Sequence, residues 1–152
     1  MALKTHSPKT VRVFNKTRQS FLSLNVTVAD THLARLVGLL GRRRLRANEG
    51  VWMVPCQGIH TFGLLFAVDV VYLDANHRVI DLVEHLGPFR VAPVRLNCES
   101  VLELPVRTIF ESQTRVGDRF MICSAAETEI HWRAQQARAR AGDATSCELV
   151  RD

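Results

Sequence analysis

The sequence predicts a mostly β (α+β) domain: a small curled sheet or partly closed β-barrel, covered by one principal helix and followed by a loosely held C-terminal helix. Three observations carry this. Seven strand-length runs rich in β-branched and aromatic residues lie between residues 11 and 123. One well-punctuated helical pattern interrupts them after the second run, and an Ala-, Gln- and Arg-rich segment closes the chain. Strands gathered around one helix suit a sheet that curls on itself with the helix over an open side.

Residues 1–10 read as a loose leader, and residues 11–123 as a single β-rich domain. Val11–Asn15 and Phe21–Val28 are the first two strands. The second alternates Leu22, Leu24, Val26 and Val28 against Ser23, Asn25 and Thr27, the period of a half-buried strand. Polar residues from Asn15 to Ser20 suit the hairpin loop between them.

The helix follows. Asp30 or Thr31 offers an N-cap oxygen, Leu33, Leu36, Val37 and Leu40 recur at helical spacing, and Gly41 suits the left-handed position past the end. Arg42, Arg43 and Arg44 then sit by the negative end of the helix dipole.

Val51–Val54, Val68–Leu73, Val79–Val83, Val101–Leu104 and Arg119–Cys123 complete the strands. Asp74–His77 is a hairpin connection in which Asn76 is the residue most tolerant of positive φ, Gly87, Pro88 and Pro93 punctuate a longer loop, and Val116-Gly117-Asp118 turns the chain again. Beyond Cys123, residues 124–152 read as a helix over Glu127–Ala141 and a frayed tail from Gly142; Ile130, Ala134, Ala137 and Ala141 share a face with little bulk to bury.

Several pieces together resemble a prokaryotic family of unassigned function, domain of unknown function 192. They are Arg35-Leu-Val-Gly-Leu-Leu-Gly-Arg42, Glu49-Gly-Val-Trp-Met53, Ile59-His-Thr-Phe62, the stretch from Asp69 to Asp74, Val101-Leu-Glu-Leu-Pro105 and Val116-Gly-Asp118, in the family's order over about residues 20–123. The resemblance implies a compact, mostly β domain with one principal helix and brings no catalytic residue list. The chain departs from that pattern in two places. Leu64-Leu65-Phe66-Ala67 stands where relatives carry a methionine, a polar or basic residue and a proline, and Arg107 stands where they carry a glycine, a residue suited to positive φ.

Composition sets limits on function. The 152 residues are 47% hydrophobic and 23% charged, ordinary values for a globular chain. No window reaches the roughly 18 apolar residues of a membrane-spanning helix, and the polar N-terminus has no secretory core, so a cytoplasmic location is expected. Cys56, Cys98, Cys123 and Cys147 are widely spaced and read as free thiols, with no metal-ligand spacing and no cofactor motif. Residues 1–46 hold ten Lys or Arg against Asp30 alone, while the rest holds ten Arg against fourteen acidic residues. Such asymmetry points to an acidic partner; nucleic acid is the weaker reading, because no nucleic-acid motif accompanies the charge.

Cys56, His60 and Asp69 invite comparison with a nucleophile, base and orienting carboxylate. If residues 60–69 are extended, at ~3.3 Å per residue His60 and Asp69 stand about 30 Å apart, and only a bend at Gly63 brings them closer. Cys56 is thus expected to be a small, partly buried loop residue. His60 is expected to be satisfied within its loop, Asp69 to cap backbone N–H groups, and Glu103 to be solvated or paired with an arginine such as Arg90.

Two functional readings follow. The first is a non-enzymatic binding or accessory domain that presents His60, Thr61, Phe62 and Arg90 together with the basic patch Arg42, Arg43, Arg44 and Arg46 to a protein or other acidic partner. The second is a hydrolase-like small-molecule enzyme with its pocket near His60, helped by Asp69, Glu103 or Cys98. The residues assign no catalytic group and fix no oligomeric state.

Overall fold

The computed structural model describes residues 9–30, 39 and 41–147, with side chains through residue 140. The leader and the principal helix expected after Asp30 fall almost wholly outside the described residues. Gly41 does occupy the left-handed region, with φ 79°.

The strands are β1 (Thr10–Asn15), β2 (Ser20–Ala29), β3 (Glu49–Met53), β4 (Val68–Leu73), β5 (Val79–Leu86), β6 (Ser100–Pro105) and β7 (Phe120–Cys123). A short helix α1 (Thr108–Glu111) sits between β6 and β7, and α2 (Ala125–Cys147) follows. All seven strands join one sheet in the order β5-β4-β6-β3-β2-β1-β7. β2 and β3 pair in parallel, as expected when a crossover rather than a tight turn connects them. The sheet curls into a half-barrel. Segment 117–120 brings its two ends together: the Arg119 carbonyl accepts from the Lys16 N–H (2.8 Å), while Phe120 donates to the His77 carbonyl (2.9 Å) and Asp118 accepts from Val79 (2.8 Å).

Both faces of the sheet's centre are covered. One cluster gathers Val11, Val13, Leu22, Val26, Val71, Leu73, Val79, Leu102, Leu104, Ile109 and Phe120, drawn from strands at both ends of the sheet, and so fills the inside of the curl. A second packs Val51, Met53, Val68, Val70, Tyr72 and Val101 of the opposite face beneath Leu39, Ile59, Leu64, Ala92 and Cys98. This explains why every residue of β4 is buried.

The strict alternation expected along β2 fails. Between Val11 and Val13, β2 runs from Val26 to Ser23, one residue more than β1, and a second shift follows before Phe14. Each extra residue is a bulge that flips the facing of the chain. Ser23 is therefore buried, its hydroxyl donating to the Asn48 carbonyl at 2.6 Å, and Leu24 is exposed.

Two turn expectations change as well, at Asn76 and Asp118, while the turn at Arg107 keeps its expected geometry. Asp74 Oδ1 accepts from the N–H groups of Asn76 (2.8 Å) and Arg78 (2.9 Å), and it is His77, not Asn76, that takes positive φ. Arg107 holds φ 74°, so the backbone keeps a glycine-like conformation without a glycine. Asp118 is not merely a turn residue: it is buried and accepts from Asn15 Nδ2 (2.9 Å), Arg18 Nε (3.1 Å) and the Arg115 N–H (3.0 Å). Burial alone would raise the Asp118 pKa; these hydrogen bonds and the Arg18 charge outweigh it and hold the carboxyl below its ordinary value.

Residues 123–152 form a unit distinct from residues 1–122. Helix α2 opens with a capping box, Glu127 Oε2 accepting from the Ser124 N–H (2.8 Å) and Ser124 Oγ from the Glu127 N–H (3.3 Å). It continues through Gly142 to Cys147 rather than fraying at Gly142, since a lone glycine weakens a helix without stopping it.

Candidate functional site

The His60 loop is built as a two-stranded ladder outside the main strands. Ala92 donates to the Ile59 carbonyl (2.9 Å), Thr61 to Arg90 (2.8 Å), Phe89 to Thr61 (3.0 Å) and Arg95 to Gln57 (2.8 Å), and His60 bridges Val91. Thr61 is the clamp. Wholly buried, its hydroxyl donates to the Gly87 carbonyl (2.7 Å) and accepts from the Arg90 N–H (2.9 Å). Tyr72 anchors the far side from the core, its hydroxyl donating to the Pro93 carbonyl at 2.8 Å; burial pushes its pKa to about 12.

Alternation decides what this ladder shows to solvent. Ile59, Thr61 and Ala92 point inward, so His60, Phe62, Phe89 and Val91 share the outer face. Val94 joins them, because its Cγ2 lies 3.1 Å from where a Cβ on Gly58 would stand. Phe62, Phe89, Val91 and Val94 are 50–66% exposed. His60 is also exposed, its ring centroid 5.3 Å from that of Phe62. The loop is thus held by Thr61 rather than by the histidine, and His60 points out.

The other expected site residues do not join it. Asp69 is buried on β4, with Oδ1 accepting from the His85 N–H (2.9 Å) and Oδ2 from the Ile109 N–H (3.0 Å), a carboxylate capping backbone donors. Glu103 pairs with Val70 while Asp69 pairs with Leu104, so the two carboxyls lie on opposite faces of the sheet. The expectation of a solvated or arginine-paired Glu103 is overturned. β6 is covered on both faces, Glu103 is 4% exposed, and no ion pair or side-chain hydrogen bond reaches it among the described residues. Arg90 engages Thr61 only through its backbone. Cys56 is half-buried, its thiol directed at the Gly58 carbonyl (3.2 Å). His60, Asp69 and Glu103 therefore share no concavity.

The basic segment keeps its exposure. Arg42, Arg43, Arg44 and Arg46 all reach solvent, and Arg42 pairs with Glu49 at 3.7 Å. Sequence reasoning missed Phe89, Val91 and Val94, whose role depends on pairing with residues some thirty positions earlier. Their signal was three large apolar residues in a loop already marked by Gly87, Pro88 and Pro93. Among the described residues, no group of three or more His, Cys, Asp or Glu is placed to hold a metal ion. No described helix is long and apolar enough to cross a membrane.

The profile of DUF192, described as an uncharacterised ACR, matches residues 13–122, which contain the whole ladder, all of β2 to β6 and parts of β1 and β7. The chain belongs to this family. UPF0127 proteins are among its relatives: one from Thermococcus sibiricus is 28% identical over 134 residues, covering 83% of this chain and 77% of the relative. Another, from Pyrococcus horikoshii, is 29% identical over 98 residues, covering 61% and 83%. Two crystal structures share the fold. One, described as a "putative transcription regulator" from Sinorhizobium meliloti, has a TM-score of 0.67 at 18% identity and covers 80% of this chain and 98% of that one. The other, a protein of unknown function from Novosphingobium aromaticivorans, has a TM-score of 0.65 at 18% identity, with 79% and 91% coverage. Family membership brings no activity with it, so function is argued from this chain's own surface.

Proposed function

We propose that this DUF192 domain is a non-enzymatic binding or accessory protein that docks an acidic protein partner on the outer face of the His60 ladder. One observation supports it above the rest: Phe62, Phe89, Val91 and Val94 stand exposed together on a backbone fixed by Thr61 and Tyr72. Large apolar side chains on a rigid support suit binding, since little ordering opposes association. Exposed Arg90 beside the face, and the Arg42–Arg46 segment, supply the positive charge that an acidic partner meets. We place the protein in the cytoplasm, in keeping with the free thiols Cys98 and Cys123.

The test compares native-lysate capture by the immobilised protein with capture by a Phe62→Ser/Val91→Ser double variant. An acidic protein retained by the wild type and lost with the variant is expected. Equal capture by both, or no specific capture by either, refutes the reading.

A further inference from the structure

A concavity lies where β4, β5 and α1 meet. Two residues with left-handed backbone flank it, His85 (φ 53°) and Arg107 (φ 74°). Such conformations cost about 1–3 kcal/mol each and persist only where the surroundings enforce them. Here the enforcing group is Asp69, whose two oxygens take the N–H groups of His85 and of Ile109, the second residue after Arg107. The clamp sets His85 and Arg107 about a cavity of about 360 Å³, with Asp69, Glu84 and Phe110 as the other walls.

A neighbouring cavity of about 420 Å³ shares His85. Its walls are largely apolar, including Leu65, Phe66, Pro88, Pro105 and Val106, with Arg44 among them. Each volume lies within the roughly 300–1,000 Å³ of small-molecule sites. The adjoining spaces differ in character, one charged and one greasy, so their combined ligand is amphipathic.

The charges choose the head group. Arg107 meets Glu111 at 3.5 Å, both side chains about 70% exposed, and lies 5.8 Å from the Phe110 ring centroid. An exposed pair of this kind is worth little and exchanges readily for another carboxylate. Asp69 and Glu84 in the same wall repel a dianion more strongly than a single negative charge. We propose that the two cavities form one binding site for a small amphipathic monocarboxylate, its carboxylate on Arg107 and its apolar body against Phe66, Pro88, Pro105 and Val106. The site shares Arg44 with the basic segment but none of the outer residues of the His60 ladder, and it stands or falls without the partner-docking face.

Octanoate titrated into the full chain and followed by backbone amide NMR tests the site, with octanol and octylamine as head-group comparisons. Arg107→Gly is the informative variant, because glycine accepts φ 74° while the cation is removed. Saturable octanoate binding is expected, with shifts concentrated at residues 65–67, 84–85 and 105–110. Octanol and the Arg107→Gly variant should each show affinity weaker by about tenfold or more, the loss of one charge-assisted contact. The Phe62→Ser/Val91→Ser variant should bind octanoate as the wild type does. The proposal is overturned by absence of saturable octanoate binding, by octanol or octylamine binding equally well, by shifts centred elsewhere, or by unchanged affinity in Arg107→Gly.

Discussion

Glu103 is the residue on which sequence and structure differ most. Facing Val51 and Val70 across its neighbouring strands, with no ionic partner among the described residues, its carboxyl is pushed by burial from 4.5 up to about 7. Below pH 4.5 it is neutral whether the chain is folded or not. Between pH 4.5 and 7 the unfolded chain ionises freely and the folded one does not, so this group's contribution to stability is lost as pH rises through that window. The loss amounts to about 3 kcal/mol. Urea unfolding at pH 4.5 and pH 7.5 should show the wild type losing that much relative to Glu103→Gln; a difference between the two proteins that does not change with pH contradicts it. Asp118 works in the opposite sense. Its hydrogen bonds hold the folded pKa low, so its contribution is present at neutral pH and is lost as pH falls through the folded value.

At the scale of elements, the decisive contacts are close backbone approaches that a sequence pattern does not announce. Gly50 on β3 faces β6 so tightly that an added Cβ would stand 2.9 Å from the Glu103 carbonyl oxygen and 3.0 Å from a Leu104 methyl. Neither the central-strand carbonyl nor a core side chain can retreat freely, so Gly50→Ala should lower the urea unfolding free energy by about 1–3 kcal/mol, with little loss if the strands shift apart without cost. The strands themselves were legible. The run Val68–Leu73 marks its strand at the observed bounds, because five apolar residues broken only by Asp69 betray a strand covered on both faces. β2 was found, but its facing was not, since a bulge is set by the partner strand's register rather than by β2's own composition.

For the whole molecule, both hydrophobic clusters are built from residues 11–122. A chain ending at Cys123 should therefore keep near-native near-UV circular dichroism and a single cooperative thermal transition. A non-cooperative melt would show that the β-rich unit depends on the segment removed. Of the sites, the exposed turn at Gly117 and the capping role of Asp69 followed from residue type, whereas the docking face and the cavity pair did not. Each assembles side chains from segments well separated in the sequence, which only chain folding brings together.

The sequence by itself determined the class of the protein: β-branched runs, turn residues and apolar spacing are local properties, and they are enough to specify a curled sheet and a terminal helix. It also determined that Asp69 would serve backbone donors, because a carboxylate entering an apolar strand must find N–H partners or lose charge. Tertiary structure decided the rest. Whether Glu103 meets water or a covered face, whether Arg107 takes a glycine-like backbone, and whether His60 points outward depend on which distant segment packs alongside, and burial and close contact are set by that neighbour rather than by the residue's own chemistry.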